Sequence, residues 1–302
     1  MSNCVIISVD VEDWYHGPTM IQSGIHPAHR KLGSNGLENL ERAYPYINTC
    51  LELFSAHGIR ATFFWVAEYA RRFPHLVRAV VAQGHEIACH GLWHASKFDP
   101  AVRRNIYSRN EFKKMTSEAR AILEDQGGTP VIGYRAPNAY ISGAMIDDLE
   151  DLGFRYDSSV SVNSLYNKTD STLLTVSTAP YYPRRGGLEK ASEPRSIIEF
   201  PWPYWEVLGF KLQSAGGPFL RVLGSTLITA GIRQSLGRGH TFFYFHPVDL
   251  CNEAIPMPFD WRRPMMWAIK GELVRRRVNR ILQAFAPCTT NFASIIDAAV
   301  PQ

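Results

Sequence analysis

Two kinds of apolar pattern alternate along the chain. Short, mainly apolar runs occur at Val5 to Val9, Ile59 to Val66, His85 to Cys89, Val131 to Tyr134, Phe154 to Tyr156, Ser196 to Phe200 and Thr241 to Phe245. Runs of this kind are the pattern of strands buried on both faces, as in parallel sheets. Between them, apolar residues recur at helical spacing. Leu37, Leu40, Ile47, Leu51 and Phe54 form one stripe closed by Gly58. Further helices are predicted before Gly84, over Ser108 to Gln126, over Ser142 to Leu152 and over Pro218 to Ser235. Glycine is the residue type that ends a helix, and Pro45 is expected to kink the first of these or split it in two. Strands alternating with helices predict parallel βα units, an α/β fold with about seven strands.

The strand ends carry the chemistry. The first strand runs into Asp10-Val11-Glu12-Asp13-Trp14-Tyr15-His16, where three carboxylates repel one another unless a cation or a proton holds them. Alternation puts Asp10 and Glu12 on one side and Asp13 in the following turn. The third strand releases His90, with His94 four residues on, and two imidazoles at that spacing can turn onto one metal ion. Taken alone the pair reads equally as a core histidine and a loop histidine, so the other strand ends decide. These deliver Arg135-Ala136-Pro137-Asn138, then Asp157, then His246 before Pro247. In parallel α/β folds sites are built at the C-terminal ends of the strands, which places all of these on one rim. The loop Pro201-Trp202-Pro203-Tyr204-Trp205 either stacks on sugar rings or plugs a barrel mouth.

Composition narrows the classes. With 45% hydrophobic and 20% charged residues the chain of 302 residues is ordinary globular material. A net charge of +4, with no basic tract interleaved with aromatics, gives no reason to expect a nucleic-acid partner. The five cysteines have no CxxC spacing, which argues against a disulfide framework or a zinc knuckle and suits a reducing compartment. The N-terminus meets an acid almost at once, without a basic leader, and no apolar run is long enough to span a bilayer. A cytoplasmic protein is expected. Residues 261–302 read as a helical extension packed on a catalytic domain of residues 1–260. The segment Trp261 to Phe285 sets Arg262, Arg263 and Arg275 to Arg277 around Met265, Met266, Trp267, Ile269, Leu273 and Val274. It is either a helix with a solvated basic face or a peripheral contact for the inner membrane face or a phosphate-bearing substrate. A zinc protease is disfavoured, because His85 to His90 has one residue too many for His-Glu-x-x-His.

Together the pieces resemble the polysaccharide deacetylases of carbohydrate esterase family 4. That family shows an acid-rich end of strand one, a His-x-x-x-His pair, an Arg-x-Pro segment, an Asp after a later strand and a histidine ending the last strand. Here these are Asp10 to Asp13, His90 to His94, Arg135 to Pro137, Asp157 and His246. The wording Ser-Val-Asp-Val-Glu-Asp-Trp, Gly-His-Glu-Ile-Ala-x-His-Gly, Gly-Tyr-Arg-Ala-Pro and Phe-Arg-Tyr-Asp-Ser-Ser is similar to a subgroup encoded with bacterial exopolysaccharide loci. The resemblance implies a distorted (β/α) barrel with fewer than eight strands.

It also implies roles. Asp10 would be the general base, paired with Arg135; His246 would be the general acid, its imidazole held by Asp157. A divalent metal, zinc first, with cobalt, nickel or manganese as other occupants, would be bound by His90, His94 and an acid. Most members have two adjacent aspartates, whereas this chain has Asp10, Glu12 and Asp13, so Glu12 takes the ligand role with Asp13 as its rival. Pro137 and Asn138 would position a backbone N–H for the oxyanion, and Trp14, His16, Trp202 and Trp205 would face the sugar. The expected reaction is removal of an N-acetyl group from an amino sugar in a polysaccharide or in a lipid-linked or nucleotide-linked glycan precursor. A deformylase, a metal-free allantoinase-like amidohydrolase and a non-catalytic carbohydrate-binding relative are the alternatives.

Overall fold

The computed structural model describes residues 2–16, 41–94, 107–164, 171–255 and 269–299, with the backbone of 98–99 and 104–105. Its centre is a parallel sheet whose first strand, β1 (Val5–Val11), is buried along its whole length. β2 (Thr62–Trp65), β3 (Glu86–Cys89), β6 (Gly133–Tyr134), β7 (Tyr156–Asp157) and β8 (Ile198–Glu199) follow on one side of it, and β11 (Thr241–Phe245) lies on the other. The register pairs Ser8 with Thr62 and with Tyr244, so β1 has a parallel neighbour on both edges, in keeping with its mainly apolar run. The seven strands curl into a half-barrel, the distorted barrel that the resemblance implies. Between β8 and β11 the wall is completed by irregular backbone. The Tyr244 N–H donates to Ala215 O at 2.8 Å and the Gly217 N–H donates to Tyr244 O at 3.0 Å. Gly216, at φ 125°, is required there, since a Cβ would sit 2.0 Å from Tyr244 O.

Helices cover the outside. α1 (Tyr44–His57) is followed by α2 (Ala67–Arg72) and α3 (Pro74–Ala82). Pro45 neither kinks nor splits α1; it occupies the first turn, where its missing N–H costs nothing. The predicted stripe residues Leu37 and Leu40 lie outside the described residues. The antiparallel ribbon β4 (Phe98–Asp99) and β5 (Arg104–Asn105) precedes α4 (Arg109–Gly127). A capping box opens α4: the Glu111 N–H donates to Ser108 Oγ at 3.2 Å and the Ser108 N–H donates to Glu111 Oε2 at 3.0 Å. α5 (Gly143–Asp151) starts at Ser142, whose Oγ accepts from the Met145 N–H.

Two features were not legible as patterns. The second half of the aromatic loop is a hairpin, β9 (Tyr204–Val207) with β10 (Phe210–Gln213), laid on α6 (Pro218–Leu236). At the C-terminal end, α7 (Glu272–Phe285) leads into β12 (Thr289–Thr290), which pairs with the start of β1, and α8 (Phe292–Ala299). Phe292 is fully buried and stacks on Tyr156 at 4.9 Å, so the chain's last helix closes the barrel floor. Residues 261–268 of the basic segment lie outside the described residues.

Candidate active site

The rim at the C-terminal ends of the strands collects the polar residues of a core that is otherwise apolar. Glu12 follows β1, His90 follows β3, and the turn after His90 brings His94 back at φ 56°, a left-handed conformation that histidine tolerates better than most side chains. One ligand atom from each of Glu12, His90 and His94 lies within 4.8 Å of the others, and this is the metal-capable group found among the described residues. His90 Nε2 is 3.2 Å from His94 Nε2 and 3.7 Å from Glu12 Oε2, which also touches His94 Nε2. His90 Nδ1 faces the Arg135 carbonyl at 2.8 Å. A carbonyl only accepts, so Nδ1 carries the proton and Nε2 turns its lone pair to the cluster. Glu12 Oε2 is buried without a hydrogen bond of good geometry. The lone pair of His90, the imidazole of His94 and a carboxylate converging on one point fit a divalent cation, with ligand positions to spare. Burial works to raise the Glu12 pKa, but the charge of His94, with His90 and His246, holds it well below its usual value.

Asp13 is placed differently from its rival. Its carboxylate accepts from the backbone N–H groups of Trp14, Arg42 and Ala43 at 2.8, 2.8 and 2.9 Å, and from the Tyr69 hydroxyl. It ties the end of β1 to the start of α1 and is not a member of the metal-capable group. The next turn orders His16, whose Nδ1 accepts from the Asp13 N–H at 2.8 Å and whose ring lies 5.5 Å from that of His94. Trp14 is buried beside it.

Asp10 and Arg135 form a buried pair at 2.6 Å. The same guanidinium reaches Ser8 Oγ at 3.1 Å, the Ser158 carbonyl at 3.2 Å and Ser158 Oγ at 3.2 Å, with the Phe64 ring 4.0 Å from its carbon. Arg135 is thus held on several sides and in turn holds Asp10, two residues before Glu12. After it, Pro137 is buried and Asn138 adopts φ 56°, ψ 18°, a left-handed turn that asparagine tolerates.

His246 stands across Glu12, its Nε2 3.3 Å from Glu12 Oε1. The expectation that Asp157 holds this imidazole is corrected by the geometry. Asp249, three residues on, accepts from His246 Nδ1 at 3.0 Å and from the His246 N–H at 2.9 Å. Burial disfavours a charged His246, but the Asp249 charge and hydrogen bond, aided by Glu12 and Asp10, push its pKa up to about 9. Asp249 in turn is opposed by burial and brought down to about 2 by Arg221 and His246. Asp157 instead sits against Glu199 and accepts from Ser159 Oγ at 2.7 Å; Ser159 Oγ in turn accepts from the Ala136 N–H at 2.8 Å. Both carboxyls are buried and burial raises both; the Asp157 charge and hydrogen bond raise Glu199 further, while the hydrogen bond with Glu199 favours ionised Asp157. They brace the Arg135 loop from below. Asp249, Arg221, Glu199 and Ser8 are the residues sequence reasoning missed; only Asp249 left a signal, an acid at i+3 after a strand-end His-Pro.

Of the aromatic pair, Trp202 is buried against Tyr244 at 5.0 Å and donates to the Ser158 carbonyl at 3.0 Å, the plug of the two readings. Trp205 lies in β9, its Cβ close to Gly231 of α6.

Comparison with known proteins follows this geometry. The profile described as "Polysaccharide deacetylase" matches residues 43–156, and one described as "Domain of unknown function (DUF3473)" matches residues 171–293. A chitooligosaccharide deacetylase of Sinorhizobium fredii is 46% identical over 44 residues, 15% of this chain and 20% of that protein. A peptidoglycan deacetylase-like protein of Gibberella zeae is 29% identical over 119 residues, 38% of this chain and 32% of that protein. The chain thus spans about a fifth to a third of the length of the curated relatives it matches. A Mycobacterium smegmatis crystal structure assigned to the polysaccharide deacetylases superposes with TM-score 0.60 at 19% identity, covering 97% of this chain and 88% of that one. A family 4 pseudoenzyme from Bacillus anthracis superposes with TM-score 0.53 at 9% identity, covering 98% and 66%. At those identities the likeness is one of fold. Residues 43–156 thus match the polysaccharide deacetylase family by sequence, and the chain as a whole shares the fold of these structures.

Proposed function

We propose that the protein is a metal-dependent hydrolase of carbon–nitrogen bonds that removes N-acetyl groups from an amino-sugar glycan. The observation that carries this reading is the convergence of Glu12, His90 and His94 on one point, with Asp10 beside it and His246 opposite. A divalent ion held by those three, zinc or else cobalt, nickel or manganese, supplies Lewis acidity for the amide carbonyl and for a water nucleophile.

The remaining steps belong to the chain's own residues. Asp10, held by Arg135, takes the proton of the attacking water. The Asn138 backbone N–H, set by the turn after Pro137, is assigned to the developing oxyanion. His246 delivers its Nε2 proton to the sugar nitrogen as the C–N bond breaks, because an amine leaves poorly unless protonated. We assign Trp14 and His16 to the sugar side; Trp202, the plug against Tyr244, and Trp205, packed on α6, are not assigned to it.

The finer reading is a reaction on a lipid-linked or nucleotide-linked precursor of an exopolysaccharide, in the cytoplasm or at the inner membrane face. Five cysteines without a disulfide among them suit a reducing compartment. No helix among the described residues is long and apolar enough to cross a membrane. The test is acetate release from N-acetylated oligosaccharides, sugar nucleotides and lipid-linked saccharides by wild type, Asp10→Asn and His90→Ala. Acetate from wild type alone is expected. Formate, or ureide cleavage insensitive to chelation, would move the protein to the deformylase or allantoinase-like reading, and no turnover of any substrate to a binding role.

A further inference from the structure

The metal-capable trio and the Asp10–Arg135 pair all come from residues before 136, whereas everything that holds His246 comes from the segment matched by the domain of unknown function. We propose that residues 171–293 form the proton-delivery half of the active site, with Arg221 as the positioning residue that holds Asp249, and through it the His246 imidazole, over Glu12. This rests on the deacetylase reading for its chemistry, but the positioning itself stands on geometry.

Asp249 is fully buried and divides its oxygens. Oδ2 takes the two His246 donors, while Oδ1 takes Arg221 Nη2. Arg221, also buried, reaches inward because α6 is not one regular helix. Gly224 interrupts it at φ 73°, ψ 175°, a conformation that only glycine adopts readily, so the first turn is set at its own angle. The break frees carbonyls, and Arg277 of α7 answers them, donating to Leu220 O at 3.1 Å and Arg221 O at 2.6 Å. His246 and Arg221 thus meet at the Asp249 carboxylate, and α7 holds the turn that carries Arg221. A buried ion pair gains little stability over apolar packing of the same volume, so its purpose is sought in what it orients.

The experiment compares full-length wild type, Arg221→Met, Arg221→Lys, Asp249→Asn and His246→Gln. Acetate release gives kcat and KM, calorimetric titration gives zinc affinity, and nitrogen-15 spectra of the histidine rings report the His246 tautomer, assigned by its loss in His246→Gln. For Arg221→Met and Asp249→Asn we expect kcat to fall about 10- to 100-fold with KM and zinc affinity kept. We also expect a changed His246 ring signal, with part of both recovered in Arg221→Lys. An unchanged kcat and ring signal in folded Arg221→Met overturns the proposal, as does a parallel loss of kcat, substrate affinity (a raised KM) and zinc affinity, which marks a purely structural residue. Should wild type release no acetate, the deacetylase reading fails by itself, and the ring signal still decides the positioning. If Arg221→Met does not fold, Arg221→Lys and Asp249→Asn carry the same two readouts.

Discussion

Replacing Arg135 with methionine removes the guanidinium that faces Asp10 and leaves a carboxylate only 3% exposed without that partner. Breaking a buried pair from one side costs about 3–5 kcal/mol. The lost bonds to Ser8 Oγ, Ser158 O and Ser158 Oγ belong to the same event and are not added separately, since the methionine side chain keeps part of the packing against Phe64. Taking about 4 kcal/mol, and roughly 2 °C per kcal/mol for a domain of this size, the unfolding midpoint should fall by about 8 °C in calorimetry. Asp10→Leu alone should also destabilise, by stranding the arginine. The double variant Asp10→Leu with Arg135→Met removes both charges and should be more stable than the sum of the singles by about 2 kcal/mol. A single variant melting within a degree of wild type, or strict additivity in the double, would refute the view that this pair is a mutually dependent buried unit.

Two further outcomes follow from the site. Saturating zinc should raise the melting midpoint: a free ion at about 1,000-fold its Kd adds about 4 kcal/mol, roughly 8 °C here. Chelator should reverse the rise. Glu12→Gln and His90→Ala should abolish it, whereas Asp13→Ala should lower the baseline midpoint and keep it; an Asp13→Ala protein that no longer responds to zinc would restore Asp13 as a ligand. The Asp157–Glu199 pair sets a pH dependence, because burial raises both groups in the folded state and the Asp157 charge raises Glu199 further. The folded protein then keeps a proton that the unfolded chain releases near pH 4, so stability should decline as pH rises from about 4 upward. Glu199→Gln should flatten that decline in urea midpoints measured between about pH 4 and 8, and an unchanged slope would count against a shared proton.

Much of the frame was readable before any coordinates. A strand buried on both faces has little polar face to show, so Val5 to Val9 and Thr241 to Phe245 announce themselves as mainly apolar runs; β1 is an interior strand of the sheet and β11 its fully buried neighbour at one end. Helix ends were equally local: Ser108 and Ser142 cap the helices they precede because their side chains compete for nearby N–H groups. Elements fixed by long-range packing were not readable. β12 is two residues long and exists because β1 offers it an edge, and the β9–β10 hairpin turns at Leu208 and Gly209, a leucine at φ 50° that no turn rule selects.

The division runs through the site itself. The sequence by itself determined the inventory: which strand ends carry acids, imidazoles and a guanidinium, because the alternation of βα units is a local property that delivers those ends to one rim. Only the tertiary structure decided the partners. Glu12 faces the histidines while Asp13 turns to the N–H groups of residues 42 and 43, and Asp249 rather than Asp157 holds His246. Three acids near one another in the chain are chemically alike, and what separates them is which donors the folded backbone puts within about 3 Å, a distance sequence spacing does not contain.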